Sequence, residues 1–390
     1  MRALNILIAP DKFKGTLTAR AAAEAVASGW RRARPGDSLA ILPMSDGGDG
    51  FGEIIGGLLA CRRRSTPTMD AAHRPHRARW WWEPRTRTAV IEAASVIGLA
   101  ILPPRRFHPF ELDTFGLASV VRAASKQGAR RCVIGIGGSA TNDGGFGLAR
   151  GLGWQFLDAE GQLLERWTEL HRLAEIRRPR RFRWFEETLV AVDVANPLLG
   201  PKGATRVYGP QKGLRAEDFE PSEQCLRRLA RVFKKDFGLD LAHQPGAGAA
   251  GGLGFSLLAF LGARLESGFD LFARHSALER RLQGVDLVIT GEGAIDASTV
   301  MGKGIGQLAK HCQKLKLPCL GLAGVVRATP KIKRAFVQTC ALTEMTSIEQ
   351  ATARPAFWLE QLAKKTGKDY AQLVASNNKA VLRNVSRLPR

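Results

Sequence analysis

The chain of 390 residues contains no Gly-x-x-x-x-Gly-Lys-Ser/Thr segment, which excludes the common phosphate-binding P-loop. It also lacks the protein-kinase set of motifs as a whole. Gly246 to Gly251 has Gly-x-Gly-x-x-Gly spacing, but the preceding Ala-His-Gln-Pro is no buried strand, so a dinucleotide fingerprint is rejected. The six cysteines, Cys61, Cys132, Cys225, Cys312, Cys319 and Cys340, show no metal-ligand spacing. Cys132 and Cys319 stand in apolar runs and read as buried thiols. None of the seven histidines stands in a catalytic pattern. Pro10 and Asp11 break the first apolar stretch too early for a signal peptide. The uncharged run Gly246 to Ala263 is long enough to suggest a membrane span, but over half of it is Gly and Ala, with little transfer energy. It reads as a glycine turn entering a buried helix. These absences predict a reducing cytoplasm and no membrane partner.

What is abundant is positive charge. The formal net charge is +22, with arginines clustered at 62–64, 74–87 and 177–183 and near the C-terminus. Trp80-Trp81-Trp82 lies inside one cluster, and aromatics among arginines can stack bases. A solvated basic face is the favoured reading, so nucleic acid is not an expected partner. An apolar content of 45% with 24% charged residues is that of a globular protein.

Short apolar strands alternate with helices at both chain ends. Asn5 to Ala9, Leu39 to Leu42, Val285 to Thr290 and Cys319 to Ala323 read as strands. Helices are predicted from about Thr18, a good N-cap, to Arg32 and from Gly304 to Lys314. The middle differs: Arg77 to Glu92 suggests antiparallel strands, Arg183 to Asp193 another strand, and Ser222 to Phe237 and Leu253 to Arg264 helices. The expected fold is two-domain α/β. A parallel, Rossmann-like or flavodoxin-like sheet is built from residues 1–68 and 284–390, and a mixed α/β domain, 69–283, is inserted between them. Ligands of parallel sheets bind beyond the carboxyl ends of strands. Asp11, Lys12, Lys14, Asp46, Glu292 and Lys303 are expected at such ends.

The richest segment is Gly135-Ile-Gly-Gly-Ser-Ala-Thr-Asn-Asp-Gly-Gly-Phe-Gly147. It follows the apolar run Arg131 to Ile134 and precedes a helix start. Glycines bring backbone N–H groups close to a ligand, and a helix N-terminus favours an anion, most often phosphate. Ser139, Thr141 and Asn142 add donors and Asp143 a carboxylate, more polar side chains than a plain turn needs.

Together with Ala9 to Gly15, Asp46 to Gly50, Asp193 to Leu198, Gly209 to Gly213, Pro245 to Gly254 and Thr290 to Gly293, this segment resembles the bacterial glycerate kinase family, D-glycerate type. The blocks run in family order from residue 6 to about residue 325. The resemblance implies an ATP- and Mg²⁺-dependent phosphorylation of D-glycerate, with 2-phosphoglycerate the preferred product. On that basis Gly137, Gly138, Ser139, Thr141, Asn142, Asp143 and Gly144 are the expected nucleotide cradle. Lys12, Lys14 and Lys303 are candidate cations for the glycerate carboxylate and the moving phosphate. Asp11, Glu292 and Asp296 complete the substrate side. Asp193 reads equally as the base that positions the hydroxyl and as a turn-capping carboxylate before Asn196-Pro197. Asp46, Asp143 and Asp296 are the alternatives, and Asp143 or Asp296 would hold Mg²⁺ through water.

The chain departs from the family pattern at Phe51, at Ala297-Ser298, and at Ile305 and Gln307. These departures bear on substrate choice and rate. They leave two rivals: a kinase of another small hydroxy acid, and a non-catalytic relative that binds nucleic acid through its basic surface.

Overall fold

The structure is a computed structural model and describes residues 2–302 and 304–385. Its strands in chain order are β1 (Asn5–Ile8), β2 (Ser38–Ile41), β3 (Arg62–Met69), β4 (Pro75–Glu83), β5 (Thr88–Glu92), β6 (Arg131–Gly135), β7 (Gln155–Leu157), β8 (Glu175–Arg177), β9 (Glu187–Val192), β10 (Arg264–Ser267), β11 (Leu287–Ile295), β12 (Cys319–Val326) and β13 (Gln338–Ala341). The chain divides into two compact units, Met1–Ser45 with Ser276–Arg390, and Asp46–His275.

The first unit is a five-stranded sheet of order β13-β12-β11-β1-β2, with every pairing parallel. Strands covered on both faces need unbroken apolar runs. Ile6-Leu7-Ile8 and Leu287-Val288-Ile289 supply them and are buried. The helix Ala19–Ala33 begins where Thr18 Oγ1 accepts the Ala21 N–H at 3.1 Å. Its buried face, Ala22, Ala23, Val26, Ala27 and Trp30, shares a core with Leu359, Leu362 and Ala363 of the helix Pro355–Val385. Arg34 and the Trp30 indole both donate to Asp37. Those bonds hold the Asp37 carboxyl below the usual range although burial pushes it the other way.

The second unit is a six-stranded sheet of order β10-β9-β6-β5-β4-β3. Strands β5, β6, β9 and β10 run parallel, and β4 and β3 are added antiparallel. The β7–β8 pair forms a small antiparallel sheet beside it. The three tryptophans alternate across β4 as the period of a strand requires. Trp80 and Trp82 enter the main core, and Trp81 lies against Gly52 and Gly56 of the helix Phe51–Leu58. All three are buried and present no stacking surface for bases.

The sequence reading placed the change between sheets at residues 68 and 283; the contact units change at 45 and 275. The reason is pairing: β3 joins β4, and the helix Phe51–Leu58 packs on Trp81. Glu292 was expected beyond a strand end but lies inside β11, because β11 and β12 stay paired as far as Ile295–Val326. The helix expected from Leu253 is entered through Ala250, Gly251 and Gly252 in left-handed conformation and ends at Leu261. Cys132 and Cys319 are buried free thiols. Among the described residues no helix is long and apolar enough to cross a membrane.

The two helices of the first unit approach so closely at Gly29 that an added Cβ would lie 2.0 Å from the Glu360 carbonyl oxygen. Alanine gains roughly 1 kcal/mol of helix propensity over glycine. A clash with backbone cannot relax as a side-chain clash does, and overpacking typically costs about 1–3 kcal/mol. Gly29→Ala is therefore expected to lower stability in urea melts despite the propensity gain. A variant as stable as the parent chain would refute the close helix contact.

Candidate active site

In the second unit the parallel strands β5, β6, β9 and β10 end at Glu92, Gly135, Val192 and Ser267. The segments leaving those ends carry most of the chemistry anticipated from sequence. The Gly137 N–H donates to the Gly47 carbonyl at 2.9 Å, which ties the Asp46–Gly50 loop to the glycine-rich loop. The Glu92 carboxylate accepts the N–H groups of Gly50 at 3.1 Å and Gly52 at 2.9 Å. It thereby caps the start of the helix Phe51–Leu58. On the other flank, a Cβ at Gly268 would stand 2.0 Å from the Asp46 carbonyl oxygen and 3.1 Å from Asp193 Oδ1. Only a residue without a side chain lets Asp46 and Asp193 approach this point. The structure thus gathers Asp46, Asp193 and the loop Gly137–Gly144 within one unit.

The polar side chains of that loop have different surroundings from those expected. Asp143 is fully buried. Its Oδ2 accepts from Thr114 N at 3.0 Å, Thr114 Oγ1 at 2.7 Å and Gly147 N at 3.0 Å, and its Oδ1 from Gly145 N at 3.1 Å. Asn142 Nδ2 donates to Thr205 Oγ1 at 3.1 Å, and both residues are buried. The carboxylate of Asp143 is enclosed by the chain's own donors and offers no face to a metal's water shell. The Mg²⁺ role foreseen for it does not fit, and among the described residues no cluster of three or more His, Cys, Asp or Glu is arranged for a metal. Burial, helped by the charge of nearby Asp113, raises the Asp143 carboxyl to about 6. Asp113 is itself paired with His73 at 3.0 Å.

One residue of this site carries no local sequence signal of its burial. Lys212 closes the helix Ala204–Lys212, just before Gly213 in left-handed conformation. Its Nζ donates to the Thr141 carbonyl at 2.6 Å and to Ser139 Oγ at 3.2 Å. The side chain is buried, and desolvation lowers its pKa from 10.5 to about 7, with Asp143 pulling the other way. Lys212 stands in the block Gly209-Pro-Gln-Lys-Gly213. A lysine is ordinarily read as surface, however, and nothing local marks this one as buried.

In the first unit the Asp11 N–H donates to the Gly291 carbonyl at 2.8 Å, and Asp11 Oδ1 accepts the Lys12 N–H at 2.7 Å. An added Cβ at Gly293 would lie 3.3 Å from the Lys14 nitrogen, so the segment 11–14 runs beside Glu292. Glu292 Oε1 accepts Thr299 Oγ1 at 2.6 Å. Asp296 Oδ1 accepts the N–H of Ser298 at 2.9 Å and its hydroxyl at 2.5 Å. Lys14 is exposed and Lys12 half-buried. Lys303 lies outside the described residues. Two of the departures from the family pattern, Phe51 and Ile305, are buried core positions.

The model of the glycerate kinase family matches residues 6–371. The chain belongs to the glycerate kinase family. It is 40% identical over 330 residues to a glycerate kinase of Bacillus subtilis (strain 168), covering 83% of this chain and 85% of that protein. It is 36% identical over 328 residues to the glycerate 2-kinase of Escherichia coli (strain K12), covering 82% and 85%. A crystal structure of a Salmonella typhimurium LT2 protein, described as a candidate glycerate kinase 2, aligns with TM-score 0.79 at 33% identity, over 97% of this chain and 100% of that one. Family membership makes the chain a kinase, a transferase whose phosphoryl donor is ATP.

The two shifted groups set a pH dependence. Between roughly pH 4 and 6 the folded chain holds more protons at Asp143 than the unfolded chain, so that site's contribution falls as pH rises. Between about pH 7 and 10 the folded chain holds fewer at Lys212, so its contribution rises with pH. The stability of the parent chain relative to Lys212→Met, from urea melts, is expected to increase from pH 7 to pH 10. A difference independent of pH would show that the ammonium is not desolvated.

Proposed function

We propose that the chain transfers the γ-phosphoryl group of Mg²⁺-bound ATP to the 2-hydroxyl of D-glycerate. The observation that carries this reading is the meeting of the glycine-rich loop, the Asp46–Gly50 loop and Asp193 at the carboxyl ends of parallel strands. The Escherichia coli relative, a glycerate 2-kinase, supports the 2-position.

The backbone N–H groups of Gly138 and Ser139, with the Ser139 hydroxyl, receive the nucleotide phosphates, and Gly137, whose N–H is held by the Gly47 carbonyl, sets the turn. Thr141, Asn142, Asp143 and Gly144 shape the loop from beneath. Asp193 accepts the hydroxyl proton of glycerate while the freed oxygen bonds to the γ-phosphorus. The bond from that phosphorus to the bridging oxygen breaks, and ADP leaves with its electron pair. Asp46 is the next candidate for the base. The family resemblance offers Lys12, Lys14 and Lys303 as candidate cations for the glycerate carboxylate and the transferring group, and Asp11, Glu292 and Asp296 as candidates for the substrate side. When bound with the nucleotide, Mg²⁺ would supply charge neutralisation. The two contact units serve as two domains, and six unpaired thiols fit a cytoplasmic setting.

Purified protein is expected to consume ATP only when Mg²⁺ and D-glycerate are both present, and phosphorus NMR of the product distinguishes 2- from 3-phosphoglycerate. No glycerate-stimulated turnover in a folded sample would sink the reading. Asp193→Asn preserves size and turn-capping but removes the base, so turnover should fall roughly 10²–10⁴-fold with ATP affinity little changed. Near-normal turnover would pass the role to Asp46.

A further inference from the structure

The helix Ala204–Lys212 holds the glycine-rich loop at two points. Near its start, Thr205 Oγ1 accepts Asn142 Nδ2; at its end, Lys212 Nζ donates to the Thr141 carbonyl and to Ser139 Oγ. Thr205 and Lys212 are seven positions apart, about two helical turns, and so share one face. The helix therefore lies along the loop as a splint. Because Ser139 Oγ accepts from Lys212, a lone pair of that oxygen is taken. The hydroxyl proton is accepted by nothing among the described residues. A hydroxyl anchored in this way is an oriented donor. Lys212 has a third N–H bond beyond the two that the loop accepts.

We propose that Lys212 is a positioning residue for phosphoryl transfer, which aims the Ser139 hydroxyl at the nucleotide phosphates and brings a buried positive charge behind the loop. The proposal rests on the reading of Gly137–Gly144 as the nucleotide loop. A neutral donor would hold the Thr141 carbonyl as well, without the penalty of burying an ammonium. A charge is worth that penalty where an anion arrives to share it. Burial disfavours the ammonium at this position, and Asp143 is the one ionisable group whose charge opposes that effect among the described residues. The helix Ala249–Leu261, which packs on the same element, carries no ionisable side chain.

The test is a double-mutant cycle on the full chain, with Lys212→Met, Ser139→Ala and the pair together. ATP and D-glycerate are each varied, and folding is checked by thermal melts. Lys212→Met should raise KM for ATP about tenfold or more while KM for glycerate moves by less than about threefold. If Lys212 acts through Ser139, the double variant should be no more than about twofold worse than the poorer single variant. Where Lys212→Met does not melt cooperatively, Lys212→Gln, which keeps a donor without the charge, carries the same readings. A folded Lys212 variant with unchanged KM for ATP, or multiplicative effects in the pair, would overturn the proposal. A parent chain with no glycerate-dependent ATP turnover would instead overturn the nucleotide-loop reading beneath it.

Discussion

Four donors converge on the buried carboxylate of Asp143, and the shape of the glycine-rich loop depends on them. Two come from Thr114 and two from the backbone of Gly145 and Gly147, so the same carboxylate joins the loop to the helix start that follows it. Thr114 Oγ1 in turn accepts the Leu148 N–H at 2.8 Å, which extends the tie into the helix Phe146–Gly151. A buried carboxyl is stabilised as an anion only where such bonds replace water. Here burial still raises its pKa, so the bonds offset the desolvation only in part. With the carboxylate fixed, the loop's backbone is fixed, and Ser139 and Thr141 come within reach of Lys212.

The same arrangement explains why the site needs several strands. The carboxyl ends of β5, β6, β9 and β10 each supply a part: Glu92 for the Asp46–Gly50 loop, the glycine-rich loop itself, Asp193, and Gly268. Parallel strands place all those ends at one edge of the sheet, the usual position for ligands in α/β folds. Below the edge, the Phe51 ring packs directly against Gly135, where a Cβ would leave it no room.

Much of this was legible in the chain alone. Four strands of the parallel sheet were readable because each contains a short apolar run, the edge strand β13, Gln-Thr-Cys-Ala, was not, and the helix Gly304–Lys314 matches the residues anticipated for it. Thr18 was readable as a cap from its residue type and the alanine-rich run behind it. The continuation of β11 through Gly291-Glu292-Gly293 was not legible, since glycines lower strand propensity and only the pairing with β12 overrides that. Nor does a loop sequence say which of its polar side chains face inward. Ser, Thr, Asn and Asp bond the chain's own backbone as readily as a ligand, and Asn142 and Asp143 do the former. Lys212 needed the tertiary fold, because its burial comes from a loop some seventy residues earlier in the chain.

One feature of the first unit bears on how the chain comes off the ribosome. Strand β1 finds its partner β11 only after Leu287–Ile289 has emerged, and the helix Ala19–Ala33 meets its partner only with the helix Pro355–Val385. The second unit, by contrast, is a continuous stretch, Asp46–His275. Domains fold as units during synthesis, and pairings distant in sequence close late. Strand β1 has β2 beside it early, but its other edge and the apolar face of the first helix wait uncovered while the middle of the chain acquires its sheet. For that interval, Ile6 to Ile8 and the alanine face of the first helix lack the covering they have in the folded chain.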